Sequence, residues 1–138
     1  MGPEKNEVNI QKNYSEIIHY NYIIKHYVNG MYRFLILWII KYNGLIHGYA
    51  ILKELDKFFS TLINEKALKQ SNPSNIYPLL NKMEEKGLII SELKTKNNKQ
   101  IKYFKITEDG NYLLNYIYSR FDIIHSNEQW KTLFNDMN

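Results

Sequence analysis

Five lysines stand between Glu92 and Glu108 with no acid among them: Lys94, Lys96, Lys99, Lys102 and Lys105. Such a run can neutralise phosphates; its plain alternative is a solvated, lysine-rich hairpin. A second group precedes it. Ser74, Asn75 and Tyr77 open a segment of helical periodicity, with Asn81 and Lys82 one turn further on. A helix start with small polar side chains suits phosphate through its amides and positive end, and its short side chains can meet base edges. Asn97 and Asn98 add polar groups at the tip of the lysine run. The chemistry these residues suggest is recognition of a polyanion.

Catalytic and metal chemistry find little support. Glu84 and Glu85 are neighbours on a helix, so they point about 100° apart and cannot share a substrate. No glycine-rich phosphate loop and no Ser/His/Asp arrangement is recognisable. The absence of cysteine removes disulfides and thiol nucleophiles. His19 and His26 are seven residues apart on one helix face, but two histidines without further ligands are a weak metal signal. His47 reads as a helix-start residue. The expectation is no enzyme, no metal and no cofactor.

Composition sets the frame. At 138 residues, with 44% hydrophobic and 23% charged residues, the chain is one globular unit able to bury a core. The net charge is +4, and the middle of the chain, residues 70–105, is its most basic part. The most apolar run, Phe34 to Ile40, is far short of the about 20 residues that a membrane helix needs. Residues 1–12 are polar and show no secretory pattern, so a cytoplasmic location is expected.

These groups must be positioned by folded elements. A first helix is predicted over Ser15–Val28 and ended by Asn29-Gly30. A second, nearly all apolar, covers Met31–Tyr42 and stops at Asn43-Gly44. A third runs from His47-Gly48 to about Phe59, and a polar connection follows with a helical turn near Glu65–Leu68. A fourth follows Asn72-Pro73-Ser74, with Pro78 in its first turn and Gly87 at its end. The period then becomes alternating. Leu88–Leu93 and Ile101–Ile106 read as strands around a polar tip, Lys94–Gln100. Thr107 caps a long helix whose face is Gly110, Leu113, Leu114, Ile117, Phe121 and Ile124. Ser126 with Gln129 forms a capping box before Trp130, Leu133, Phe134 and Met137. One bent helix and two separate helices both fit this end.

The expected fold is mainly α with a small two-stranded β-hairpin: a winged helix-turn-helix with an N-terminal helix and a C-terminal dimerisation helix. The division is 1–29 for the N-terminal tail and accessory helix, 30–107 for the DNA-binding domain and 108–138 for the dimerisation region. In this layout one helix enters the DNA major groove and the hairpin follows the backbone. Lys94, Lys96, Lys99 and Lys102 would be the wing's phosphate contacts. The apolar face through Leu113, Leu114, Ile117, Phe121 and Ile124, continued by Trp130 and Phe134, is too long for one small chain to cover and points to a homodimer.

The sequence resembles the PadR family of transcriptional regulators. The likeness is carried by Leu45-Ile46-His47-Gly48-Tyr49-Ala50-Ile51, by Pro73-Ser74-Asn75-Ile76-Tyr77-Pro78-Leu79-Leu80, by Met83-Glu84-Glu85-Lys86-Gly87-Leu88-Ile89 and by Tyr103-Phe104-Lys105-Ile106-Thr107-Glu108-Asp109-Gly110. The resemblance implies a dimeric repressor that binds operator DNA and often answers to a small molecule. It implies a C-terminal helix at the dimer seam and places Tyr49 and Tyr77 near the DNA backbone. Three features depart from the family pattern: Ser74-Asn75 stands where Gly-Ser is usual, the wing carries lysines rather than arginines, and the expected helix at residues 15–28 is longer than the family minimum.

Two other readings compete. One is a winged-helix protein-interaction module. The other is a small-molecule sensor with secondary DNA contact, whose aromatic effector would lie among Trp130, Phe134, Phe121 and Tyr116; packing is the plainer role of those rings.

Overall fold

The structure, a computed structural model, describes residues 22–138. The expected helix start at Ser15 lies outside these residues. Helix α1 (Tyr22–Asn43) runs unbroken through Asn29-Gly30, where the sequence predicts a stop. An exposed glycine inside a helix costs only about 1 kcal/mol. Against that, Val28, Tyr32, Leu35, Ile36, Ile39 and Ile40 form one buried stripe on both sides of it. Gly44, at φ +75°, then ends α1 as expected.

Strand β1 (Ile46–His47) leaves no signal in the sequence, because two residues carry no periodicity. Helix α2 (Gly48–Phe58) follows, capped by His47, whose Nδ1 accepts from the Ala50 amide at 3.2 Å. The predicted helical turn at Glu65–Leu68 is instead the short helix α3 (Ser60–Asn64). Lys66 at φ 61° breaks the helical path there.

Helix α4 (Pro73–Glu85) begins at Pro73 with Asn72 as its cap. Pro78 therefore sits in the second turn, not the first. Its missing N–H deprives the exposed Ser74 carbonyl of a donor, which water can supply. At the far end, Gly87 is left-handed at φ +78°. Its amide reaches Glu84 O at 2.9 Å and the Leu88 amide reaches Met83 O at 3.0 Å. This paired closure turns the chain directly into the wing.

The wing consists of β2 (Ile89–Lys96) and β3 (Lys99–Ile106), both longer than predicted. The tip is only Asn97-Asn98, both left-handed. That two-residue turn matches strand twist and holds Lys96 opposite Lys99, so the lysine-rich stretch pairs without any apolar alternation. β1 adds to β3 through Ile46↔Phe104 and His47↔Tyr103, giving a three-stranded antiparallel sheet instead of a bare hairpin.

The C-terminal part is two helices, α5 (Glu108–Ser126) and α6 (Glu128–Met137). Thr107 caps α5 as predicted, accepting from the Gly110 amide at 3.0 Å. The cap of α6 is Asn127, not the predicted Ser126. Asn127 Oδ1 accepts from the amides of Gln129 and Trp130, while the Ser126 hydroxyl turns back to Ile123 O. The core gathers Ile36, Ile40, Ile51, Leu55, Ile76, Leu80, Ile89, Phe104 and Leu114, all fully buried.

Candidate nucleic-acid interface

Helix α4 buries Ile76, Leu80 and Met83, so helical geometry sends Ser74, Asn75, Pro78, Asn81 and Lys82 outward. Its N-terminus is largely satisfied from within. Pro73 has no amide hydrogen, and the amides of Asn75 and Ile76 bond to Asn72. The Ser74 hydroxyl also donates to Asn72 Oδ1. Phosphate capture by a bare helix end is thereby reduced, which leaves the side chains of Asn75, Asn81 and Lys82 as the outward chemistry of α4. Lys82 lies 4.0 Å from Glu85, with both side chains well exposed, a pair of little energetic weight.

Tyr77 is half-buried and its ring lies over the start of α2. A Cβ at Gly48 would collide with the Tyr77 phenol, so glycine there is what lets the ring settle. Next to it Tyr49 is exposed, with Lys53 Nζ 4.8 Å above its ring. The chain of contacts continues into the sheet. The His47 and Tyr103 rings meet edge to face at 5.5 Å, and Lys94 Nζ stands 5.5 Å from the Tyr103 ring. Helix α4, the start of α2 and the wing are thus linked side by side.

The strand register divides the wing lysines. Direct Cα partners share a face, so Lys94, Lys96, Lys99 and Lys105 lie with Tyr103 on one side of the ribbon. Among the described residues none of these four lysines forms an ion pair. Lys102 lies on the opposite side with the buried Phe104, and its Nζ is 3.4 Å from Glu84 Oε1. Asn97 and Asn98 are exposed at the tip. The sequence groups Lys102 with the other wing lysines and does not single out Lys53 or Tyr103, which the structure sets beside Tyr49 and Lys94. The four-residue spacing of Tyr49 and Lys53 on one helix was the available signal for the first; the role of Tyr103 depends on sheet pairing.

Of the residues expected at a dimer seam, Leu114 belongs to the chain's own core. It is 0% exposed and offers no surface to a partner, because it faces inward from the first turns of α5. Leu113, Ile117 and Ile124 are half-buried. Phe121 at 43% and Trp130 at 41% are open to solvent, as are Ile123, Leu133, Phe134 and Met137. Phe34 of α1 meets Phe121 at 6.0 Å and Tyr118 at 6.4 Å, so the open face continues onto the first helix.

Among the described residues no helix is long and apolar enough to cross a membrane, and no three metal-ligating side chains are gathered. His19 lies outside these residues.

A family model for the transcriptional regulator PadR-like family matches residues 36–115. A search among curated proteins gives no match. Among solved structures, a PadR-like transcriptional regulator from Bacillus cereus is 25% identical, with a TM-score of 0.59 over 79% of this chain and 93% of its own. A PadR family transcriptional regulator from Eggerthella lenta is 21% identical, with a TM-score of 0.60 over 75% and 83%. Bacillus subtilis PadR, solved in complex with operator DNA, is 23% identical, with a TM-score of 0.50 over 60% of this chain and 44% of its own. These likenesses agree with the architecture above: mainly helical, with a small antiparallel sheet of winged-helix form.

Proposed function

The chain belongs to the transcriptional regulator PadR-like family, and from that premise we propose that it is a homodimeric repressor that binds double-stranded DNA in a sequence-specific way. The observation that carries the reading is the juxtaposition of an outward polar helix face with a wing face of unpaired lysines. Asn75 and Asn81 on α4 would read base edges in the major groove. Lys94, Lys96 and Lys99, with Asn97 and Asn98 at the tip, would hold phosphates, and Tyr49 and Tyr77 would border the backbone. The operator complex of the Bacillus subtilis relative supports DNA as the partner. The cytoplasm is where such a regulator would act.

Residues 30–107 would form the DNA-binding unit and 108–138 the dimerisation unit, with the preceding accessory segment continuous with the DNA-binding unit through the unbroken helix α1. The exposed rings and aliphatic groups of α5 and α6 would be covered by a second copy. Two α4 helices would then address half-sites about one helical turn, about 34 Å, apart. Sedimentation should give twice the chain's 16.6 kDa; a monomer at micromolar concentration would contradict the dimer.

Base reading and phosphate contact separate by mutation. Asn75→Ala should reduce the preference for operator over random DNA by roughly five- to 150-fold, the value of one good base contact of about 1–3 kcal/mol. Lys96→Ala should weaken both DNAs alike and lower the salt slope by about one. Equal losses on both DNAs for Asn75→Ala would remove Asn75 from base reading.

A further inference from the structure

We propose that Glu84 is a positioning residue for the wing, tying both wing strands to α4 and holding Lys102 away from DNA phosphate. The inference rests on the DNA-binding reading above. Glu84 Oε2 accepts from the Ser91 amide at 2.9 Å and from the Ser91 hydroxyl at 2.5 Å. Its other oxygen, Oε1, faces Lys102 Nζ at 3.4 Å. Ser91 lies on β2 and Lys102 on β3. They are not Cα partners: Ser91 pairs with Phe104 and Lys102 with Leu93. One carboxylate therefore clasps two strands, two rungs apart.

The position of the clasp matters. The ribbon starts at Ile89↔Ile106 and ends at Lys96↔Lys99. Glu84 holds it partway along, while the rungs carrying Lys94, Lys96 and Lys99 extend beyond. The junction at the base of the wing fixes where the ribbon leaves α4, and the Glu84 contacts add a second hold further along it, which restricts the angle between the lysine face and the outward face of α4. The pair is also better shielded than its neighbour. The side chains of Lys102 and Glu84 are 40% and 31% exposed, against 60% and 73% for Lys82 and Glu85. Hydrogen bonds from Ser91, aided by the charge of Lys102, hold the Glu84 carboxyl below the ordinary carboxylate range, so it stays ionised at neutral pH.

The clasp has a consequence for binding. Lys102 is already neutralised, so it adds little to the count of phosphate contacts. Removing the Glu84 charge releases one cation beside the recognition helix and loosens the wing angle. Attraction to any DNA rises while discrimination falls.

The test is Glu84→Gln, which keeps the shape and an acceptor for Ser91. Fluorescence anisotropy is measured on a duplex carrying the DNA upstream of the protein's own coding sequence and on a scrambled duplex, over a salt series. Glu84→Gln is expected to bind the scrambled duplex several-fold more tightly, to lose preference for the upstream duplex and to steepen the salt slope by about one. Adding Lys102→Met should cancel the extra slope. Lys102→Met alone should leave the slope of the native protein unchanged, which keeps the proposal testable even where Glu84→Gln melts early. An unchanged slope and preference in Glu84→Gln, or a slope lowered by about one in Lys102→Met alone, overturns the clasp while native DNA binding stands. A native protein that binds neither duplex overturns the DNA reading itself.

Discussion

Gly110→Ala should lower the stability by about 2 kcal/mol or more, a fall in melting temperature of roughly 6–10 °C. A Cβ at position 110 would run into the Leu88 carbonyl oxygen and lie 2.8 Å from Ile106 Cγ1. The Leu88 carbonyl cannot give way cheaply. It accepts from the Thr107 amide at 3.1 Å, and the Leu88 amide is held by Met83 O. The Thr107 hydroxyl, which caps α5, also donates to Gly87 O at 2.6 Å. The end of α4, the base of the wing and the start of α5 therefore share one tight junction. Overpacking costs about 1–3 kcal/mol, and the upper end applies where backbone must move. The helix advantage of alanine, about 1 kcal/mol, offsets only part of that. The same change at Gly30 meets nothing within 4 Å, so Gly30→Ala should gain about 0.5–1 kcal/mol. Thermal unfolding of the two variants should give opposite signs; the same sign in both would contradict the packing described at α5.

The second large effect concerns binding. Replacing Lys94, Lys96 and Lys99 together by alanine should weaken DNA binding on the order of a few hundredfold at ~0.1 M salt and lower the salt slope by about three. Each lysine lies on the Tyr103 face of the ribbon, exposed and without an ion-pair partner. Each would therefore release about one counterion on meeting a phosphate. Lys102→Met should differ clearly, because Lys102 is already matched by Glu84. Anisotropy titrations at several salt concentrations check both variants. Equal effects from Lys102→Met and from a single wing-tip lysine would contradict the division of the wing into two faces.

The part of the fold that was legible came from local rules. The glycine stops at Gly44 and Gly87, the Thr107 cap and the helical spacing of Ile76, Leu80 and Met83 each declare themselves within a few residues. The misreadings have a common cause. Asn29-Gly30 looks like a stop only until the burial of Val28 and Tyr32 on either side is counted. Lys94–Gln100 looks like a loop because an exposed ribbon needs no apolar alternation once Asn97-Asn98 sets its register. β1 exists only because Phe104 and Tyr103 wait beside it. The candidate site shows the same limit. Asn75, Asn81 and the lysine run are visible as residue types, but the separation of Lys102 from Lys94, Lys96 and Lys99 needs the strand pairing. The inward turn of Leu114 likewise depends on which side of α5 meets α1, a matter of tertiary packing.

The proposed activity is sequence-specific binding of duplex DNA. Its most direct test is fluorescence anisotropy of a labelled duplex carrying the DNA upstream of this protein's own coding sequence, beside a scrambled duplex, at two salt concentrations. Tight, salt-sensitive binding that prefers the upstream duplex is expected. Weak binding to both duplexes at both salt concentrations would contradict it, and a protein partner would then become the better reading of the same surface.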